Sequence, residues 1–337
     1  MEQHLSYEEQ LLLFKQRGVE GIDPTNSDFN KQIKTLKVLG YYKLKQYAIP
    51  FWNKEENKYQ KITYNNLVKR YYRDQQLKQA IFQSISDIET ALNNEISYIL
   101  GRDDPYLYLT FEYWCQTRGY NRHIGSSINK YKLKNEELKF LSQLQKQVRK
   151  SNYIDIQKFE SSREFEVFPP IWLSVNTLTF GQSIYLVKLM KPQNKQIISK
   201  HFFHQDVNKL INDLELLNLI RNICCHNGDL VDISLKTMPK IPARYKQYLN
   251  MNGDNYPHKL AVVILILIDL MYSVNEKYNF KKLQNILVGL CKLTNKKDAY
   301  LAKKMGFKNI ASISGLTSTF KNPRITTFYP KDGYIYN

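Results

Sequence analysis

Arg221, Asn222 and His226 are the residues of this chain whose types and spacing best suit chemistry; they close the stretch DVNKLINDLELLNLIRNICCHNG, residues 206–228. Within about one and a half helical turns they place a permanent cation, an amide and a titratable imidazole. An imidazole moves a proton near neutral pH, and a guanidinium grips a phosphate bidentately. Together they suit cleavage of a phosphodiester by its neighbouring ribose hydroxyl. The imidazole would carry the proton while the fixed cation stabilises charge on the pentavalent phosphorus. That reaction requires neither a metal nor a cofactor. The competing reading is structural: a helix end whose Arg pairs with a carboxylate and whose His caps carbonyls.

The element that positions them is a helix. Val207, Leu210, Ile211, Leu214, Leu217 and Cys224 recur at spacings of three and four, which marks one buried helical face. Asp206 is the expected N-cap, and Asn227-Gly228 the expected stop. Arg221 and Asn222 interrupt a greasy run, a costly placement for a guanidinium unless it is paired or opens onto a cleft. Asn222 and His226, four apart, share a face, whereas Arg221 and His226 diverge by roughly 140° in an ideal helix. Either the helix loosens before His226, or two copies face each other across a dimer and complete one site.

RNICCHNGDL resembles the R-N-x-x-[A/C]-H motif of the HEPN superfamily of ribonucleases, and the surrounding chain resembles the Abi-like (AbiD/AbiF-type) abortive-infection family. The likeness includes LLLFKQRGV, the element Gly40-Tyr41-Tyr42-Lys43-Leu44-Lys45-Gln46-Tyr47, the stretch YYRDQQLKQAIFQSISDIETALNNEISYIL and FPPIWLSVNTLTFG, in order over roughly residues 10–230. It implies an all-α, HEPN-type helical bundle with an N-terminal helical extension. It also implies a metal-independent endoribonuclease for phage defence and a cognate small non-coding RNA as partner, while the divergence of Arg221 and His226 on one helix predicts a homodimer. Two positions depart from the pattern: Asn176 stands where an acidic residue is expected, and Asn227 follows the His where a second His or Arg is common. An RNA-binding protein without turnover, gripping a structured RNA through the same motif, is the alternative. A DNA-binding regulator built on the first helix pair is weaker, because residues 28–39 offer few base-reading side chains.

The formal net charge is +18 over 337 residues, which favours a polyanionic partner. The chain is also rich in Lys, Asn, Ile and Tyr together, a bias that can raise charge without function. Cys115, Cys224, Cys225 and Cys291 form no C-x-x-C pair and read as reduced thiols of a cytoplasmic protein. The polar EQHLSYEEQ after Met1 does not read as a secretory leader. The longest apolar run, residues 260–268, is half a membrane span and reads as a core helix, so no membrane partner is expected. His201 and His204 lack ligand-spaced partners, and no metal site is expected there.

Strand-like alternation is scarce, and the chain divides into an N-terminal helical unit (1–60), a helical domain (61–306) and a tail (307–337). Tyr42, Lys43 and Lys45 interleave aromatic and basic character and, with Arg73, are the RNA-binding candidates. Residues 64–100 read as one long helix with Ile81, Ile85, Ile88, Leu92, Ile96 and Ile99 inward. Its ionic side, Arg70 included, reads as solvated. Residues 50–61 read as a loop, Trp172 as a core anchor, and the stretch beyond Gly306 as extended or partly ordered.

Overall fold

Side-chain caps explain where several of the helices begin in the computed structural model, which describes residues 4–162, 167–226, 228–293 and 300–319. Ser6 and Glu9 form a capping box that opens α1 (Tyr7–Gln16). α2 (Phe29–Leu39) and α3 (Tyr41–Ala48) are joined at Gly40, whose φ of 81° is left-handed and suits glycine. A two-stranded ribbon, β1 (Trp52–Asn53) with β2 (Lys58–Tyr59), occupies the stretch expected to be a loop. Thr63 then caps α4 (Tyr64–Gly101), whose 38 residues form the spine of the molecule. The isoleucine stripe read from sequence is inward: Ile81, Ile85, Ile88, Leu92 and Ile96 are fully buried.

After α4 come α5 (Phe111–Trp114), the hairpin β3 (Gly119–Asn121) with β4 (Ser126–Ile128), α6 (Lys130–Lys150) and α7 (Ile154–Ser162). α8 (Ile171–Ser174) precedes α9 (Phe180–Leu189), which starts with a Thr179–Gln182 capping box. α10 (Pro192–Gln196) runs into a π-helical turn over Ile197–Phe202, and α11 (Val207–Cys225) follows. α12 (Leu260–Val274), α13 (Lys281–Cys291), α14 (Tyr300–Lys304) and α15 (Ile310–Thr319) complete the described chain. The fold is all-α in class: it is 65% helical, with only the two small ribbons as sheet.

α4 touches α3, α8, α9, α11, α12 and α13, so it carries the N-terminal helices and the motif helix on one support. α12 is apolar nearly all round, and Leu260 through Ile268 are all buried, as a central helix should be. No described helix is long and apolar enough to cross a membrane.

One expectation needs correcting. Trp172 is 51% exposed, and its neighbours Ile171 and Val175 take the core positions instead. On so short a helix, the face presented to α4 decides which apolar residue is buried. Part of the tail is α15, which packs on α13 and buries Ile313 and Leu316; residues 320–337 lie outside the described residues.

α9 and α11 approach closely where Gly181 meets Asn218: a β-carbon on Gly181 would lie 3.2 Å from Asn218 Nδ2. Gly181→Val adds bulk at that contact and should cost about 1–3 kcal/mol through overpacking. A lowered urea midpoint at unchanged slope is the expected readout.

Candidate active site

α11 starts where the sequence places it. The Asp206 carboxylate accepts from the amides of Asn208 and Lys209, at 2.9 and 3.4 Å. Leu210, Leu214, Leu217 and Ile220 are buried along its inner face. The far end is a Schellman-type closure. His226 N–H donates to Asn222 O at 2.9 Å, and Gly228 N–H donates back to Ile223 O at 3.0 Å. His226 is thus the C-cap of a helix that stays regular up to it. Asn227 lies outside the described residues.

That regularity decides one of the two geometries left open by the sequence. The helix does not loosen before His226, so Arg221 and His226 point apart. Asn222 and His226 stand exposed on the outer face of α11. Arg221, half-buried, turns toward α4, its guanidinium 6.0 Å from the Phe82 ring centroid. Its charge also acts on Glu89 of α4, whose carboxyl burial pushes upward against Arg221 and a backbone hydrogen bond from Phe180.

Among the described residues the Arg221 guanidinium makes no hydrogen bond or ion pair, and its buried Nε is unsatisfied. Nor does the His226 ring hydrogen-bond to any described residue. The structural reading, an Arg paired with a carboxylate and a His on helix carbonyls, is therefore not what these side chains do. A guanidinium left with unused donors can take up an external anion.

The segment after the motif is anchored by groups that the sequence hid. Arg70, Asp74 and Lys78 lie at i, i+4 and i+8 on one face of α4, and all three are at most 3% exposed. Arg70 grips Asp232 bidentately at 2.6 and 2.7 Å and donates to Tyr47 O at 3.1 Å. Asp74 accepts from Tyr47 Oη at 2.7 Å and from Val231 N at 2.9 Å, and pairs with Lys78 at 3.2 Å. Lys78 donates to Gly228 O at 2.9 Å. The stretch 228–232 is thus fixed to α3 and α4 just past His226. Arg70 is a buried structural cation, not part of a solvated face, because its partner lies 162 residues away and no periodicity could show it.

Asp229 sits beside this network. Burial, reinforced by Asp232 and Asp74 and opposed by Arg70, pushes its carboxyl up to about 7. An unfolded Asp titrates near 3.9. Between about pH 4 and 7 the folded chain therefore holds a proton that the unfolded chain has released, and stability falls as pH rises through that window. Asp229→Asn should abolish this fall, leaving the variant the more stable protein at pH 8 and not at pH 4. Urea titrations at the two pH values check the sign.

Of the RNA-binding candidates, Tyr42 and Lys45 come together. Tyr42 is 77% exposed, with Lys45 Nζ 5.9 Å from its ring centroid. Lys43 leans inward over Tyr47, 5.9 Å from that ring, and its ammonium is lowered by burial and by Lys78. Arg73 lies against Gly289 of α13, where it leaves no room for a β-carbon.

Neither the curated proteins nor the solved structures gave a match. A family model described as Abi-like protein matches residues 34–232. Those bounds include the whole motif and every member of its anchor, from Tyr47 to Asp232. The chain belongs to the Abi-like protein family.

Proposed function

We propose that this protein is a metal-independent endoribonuclease of the HEPN type and an abortive-infection effector, cutting RNA through its 2′-hydroxyl. The observation that supports the reading is that Arg221 and His226 make no side-chain hydrogen bond or ion pair to a described residue, on a helix end locked to α4 by the Tyr47–Arg70–Asp74–Lys78 network. Membership of the Abi-like family supports the defence role. Because Arg221 and His226 diverge on a regular helix, the competent site is a two-fold dimer with the two motif helices facing each other.

In that site the ribose O2′ attacks phosphorus, the O2′–P bond forms and the P–O5′ bond breaks. His226 of one copy takes the 2′-hydroxyl proton, and the second His226 supplies a proton to the departing 5′-oxygen. Arg221 stabilises the charge on the pentavalent phosphorus, and Asn222 positions a phosphate oxygen. A small non-coding RNA bound to the same protein serves as regulator. Exposed Tyr42 with Lys45 supports RNA contact by stacking.

RNA uniformly 2′-deoxy-substituted should bind and survive, since it lacks the nucleophile. Cleavage of such RNA at the rate of the natural polymer would overturn the reading. Binding through phosphates should also weaken steeply with salt, on a log–log line whose slope follows the number of contacts. Filter binding between 50 and 300 mM salt measures it, and a flat response would reduce the +18 charge to compositional bias.

A further inference from the structure

The contacts between α4 and the motif segment run in reverse order. Arg70 holds Asp232, Asp74 holds Val231 and Lys78 holds Gly228, each step four residues along α4. Phe82 is the next member of that row, and Arg221 lies over it, its guanidinium 6.0 Å from the ring centroid. A four-residue spacing drifts by only about 40° per step around a helix, so the row follows one side of α4. α4 therefore meets the motif twice, through Lys78 past the C-cap and through Phe82 before it.

Phe82 is the informative member. Arg70, Asp74 and Lys78 are buried and spend their polar groups on the chain around the motif, whereas Phe82 is 38% exposed and offers only a ring. The Arg221 Nε above it is buried without an acceptor. Leaving such a donor unsatisfied is costly unless another attraction offsets it. The face of an aromatic ring is electron-rich and draws a cation within about 6 Å. Glu89, seven residues further along α4, falls on the same side of the helix as Phe82. Among the described residues its carboxylate nevertheless forms no ion pair with Arg221.

That choice of neighbour has a chemical consequence. A carboxylate clamp would neutralise the guanidinium and occupy its donors, because the fork matches two oxygens. An aromatic face orients the same group while leaving its charge in place and its terminal N–H groups unused.

We propose that Phe82 is a positioning residue for Arg221, holding the guanidinium by its ring face so that charge and terminal donors stay open to the scissile phosphate. This role rests on the ribonuclease reading for the phosphate it names, and adds how the cation is aimed.

Phe82→Leu keeps an apolar side chain and removes the ring. It should slow single-turnover RNA cleavage by about 3- to 10-fold, in line with the strength of such contacts. Phe82→Tyr keeps the ring face and should restore the rate. RNA affinity closes a double-mutant cycle: Phe82→Leu should weaken binding in the native background and add nothing in Arg221→Ala. An unchanged rate in Phe82→Leu, or a rate lost equally in Phe82→Tyr, would overturn the assignment. So would an equal loss of affinity with and without Arg221, which would make Phe82 an RNA contact in its own right.

The Arg221 Nε–H resonance in NMR spectra tests the geometry with no RNA present. The ring current of Phe82 should displace it, and the displacement should persist in Phe82→Tyr and vanish in Phe82→Leu. An identical resonance in the native protein and Phe82→Leu would overturn the positioning, whether or not RNA is cut. A protein that shows the displacement and the affinity cycle but cuts no RNA would sink the ribonuclease reading alone.

Discussion

Replacing His226 with alanine should slow RNA cleavage on the order of 10²–10⁴-fold, the usual loss when a general acid–base group is removed. Binding should change little, because the His226 ring makes no hydrogen bond to a described residue that its loss would disturb. Arg221→Ala should cut the rate as well, and should weaken binding too, since a phosphate ligand goes with it. Single-turnover cleavage beside equilibrium binding separates the two effects. Toxicity in cells should vanish with either substitution. If His226→Ala left cellular protection intact while loss of bound RNA destroyed it, the protein would be an RNA binder and not a nuclease.

The largest stability effect is expected at Asp74. Its carboxylate is fully buried and serves Tyr47, Val231 and Lys78 together. Asp74→Ala takes the paired carboxylate away from an ammonium that stays buried, and breaking a buried pair from one side costs about 3–5 kcal/mol. The double variant Asp74→Leu, Lys78→Met removes both charges and should recover much of that loss, since an apolar replacement of a buried pair is often neutral. For comparison, Lys31 and Asp28 form an ion pair on the surface, and Lys31→Ala should leave stability nearly unchanged, because water and salt screen such a pair. Chemical denaturation of the four proteins tests this ordering. Because Lys78 holds Gly228 O, Asp74→Ala should also loosen the motif end and slow cleavage beyond its effect on the folded fraction.

The sequence revealed what depends on neighbours along the chain. Asp206, the apolar face of α11 and the isoleucine stripe of α4 are local patterns, and each sits where its spacing places it. The two ribbons escaped because strands of two or three residues are too short to alternate visibly. α15 escaped because its Ser-, Thr- and Gly-rich composition reads as a tail, and only its packing against α13 explains the helix. The anchor was hidden for a different reason. Arg70, Asp74 and Lys78 look like a charged outer face until residues 228–232 are brought against them, a contact spanning about 150 positions.

The chemistry itself leaves a signature that binding cannot imitate. Total RNA incubated with the protein in EDTA, followed by mass analysis of the new ends, reads that signature directly. The expected ends are 2′,3′-cyclic phosphate and 5′-hydroxyl, formed equally with and without the chelator and absent with His226→Ala. New ends bearing 3′-hydroxyl and 5′-phosphate, or cleavage that stops in EDTA or persists in His226→Ala, would contradict attack by the ribose hydroxyl at this motif.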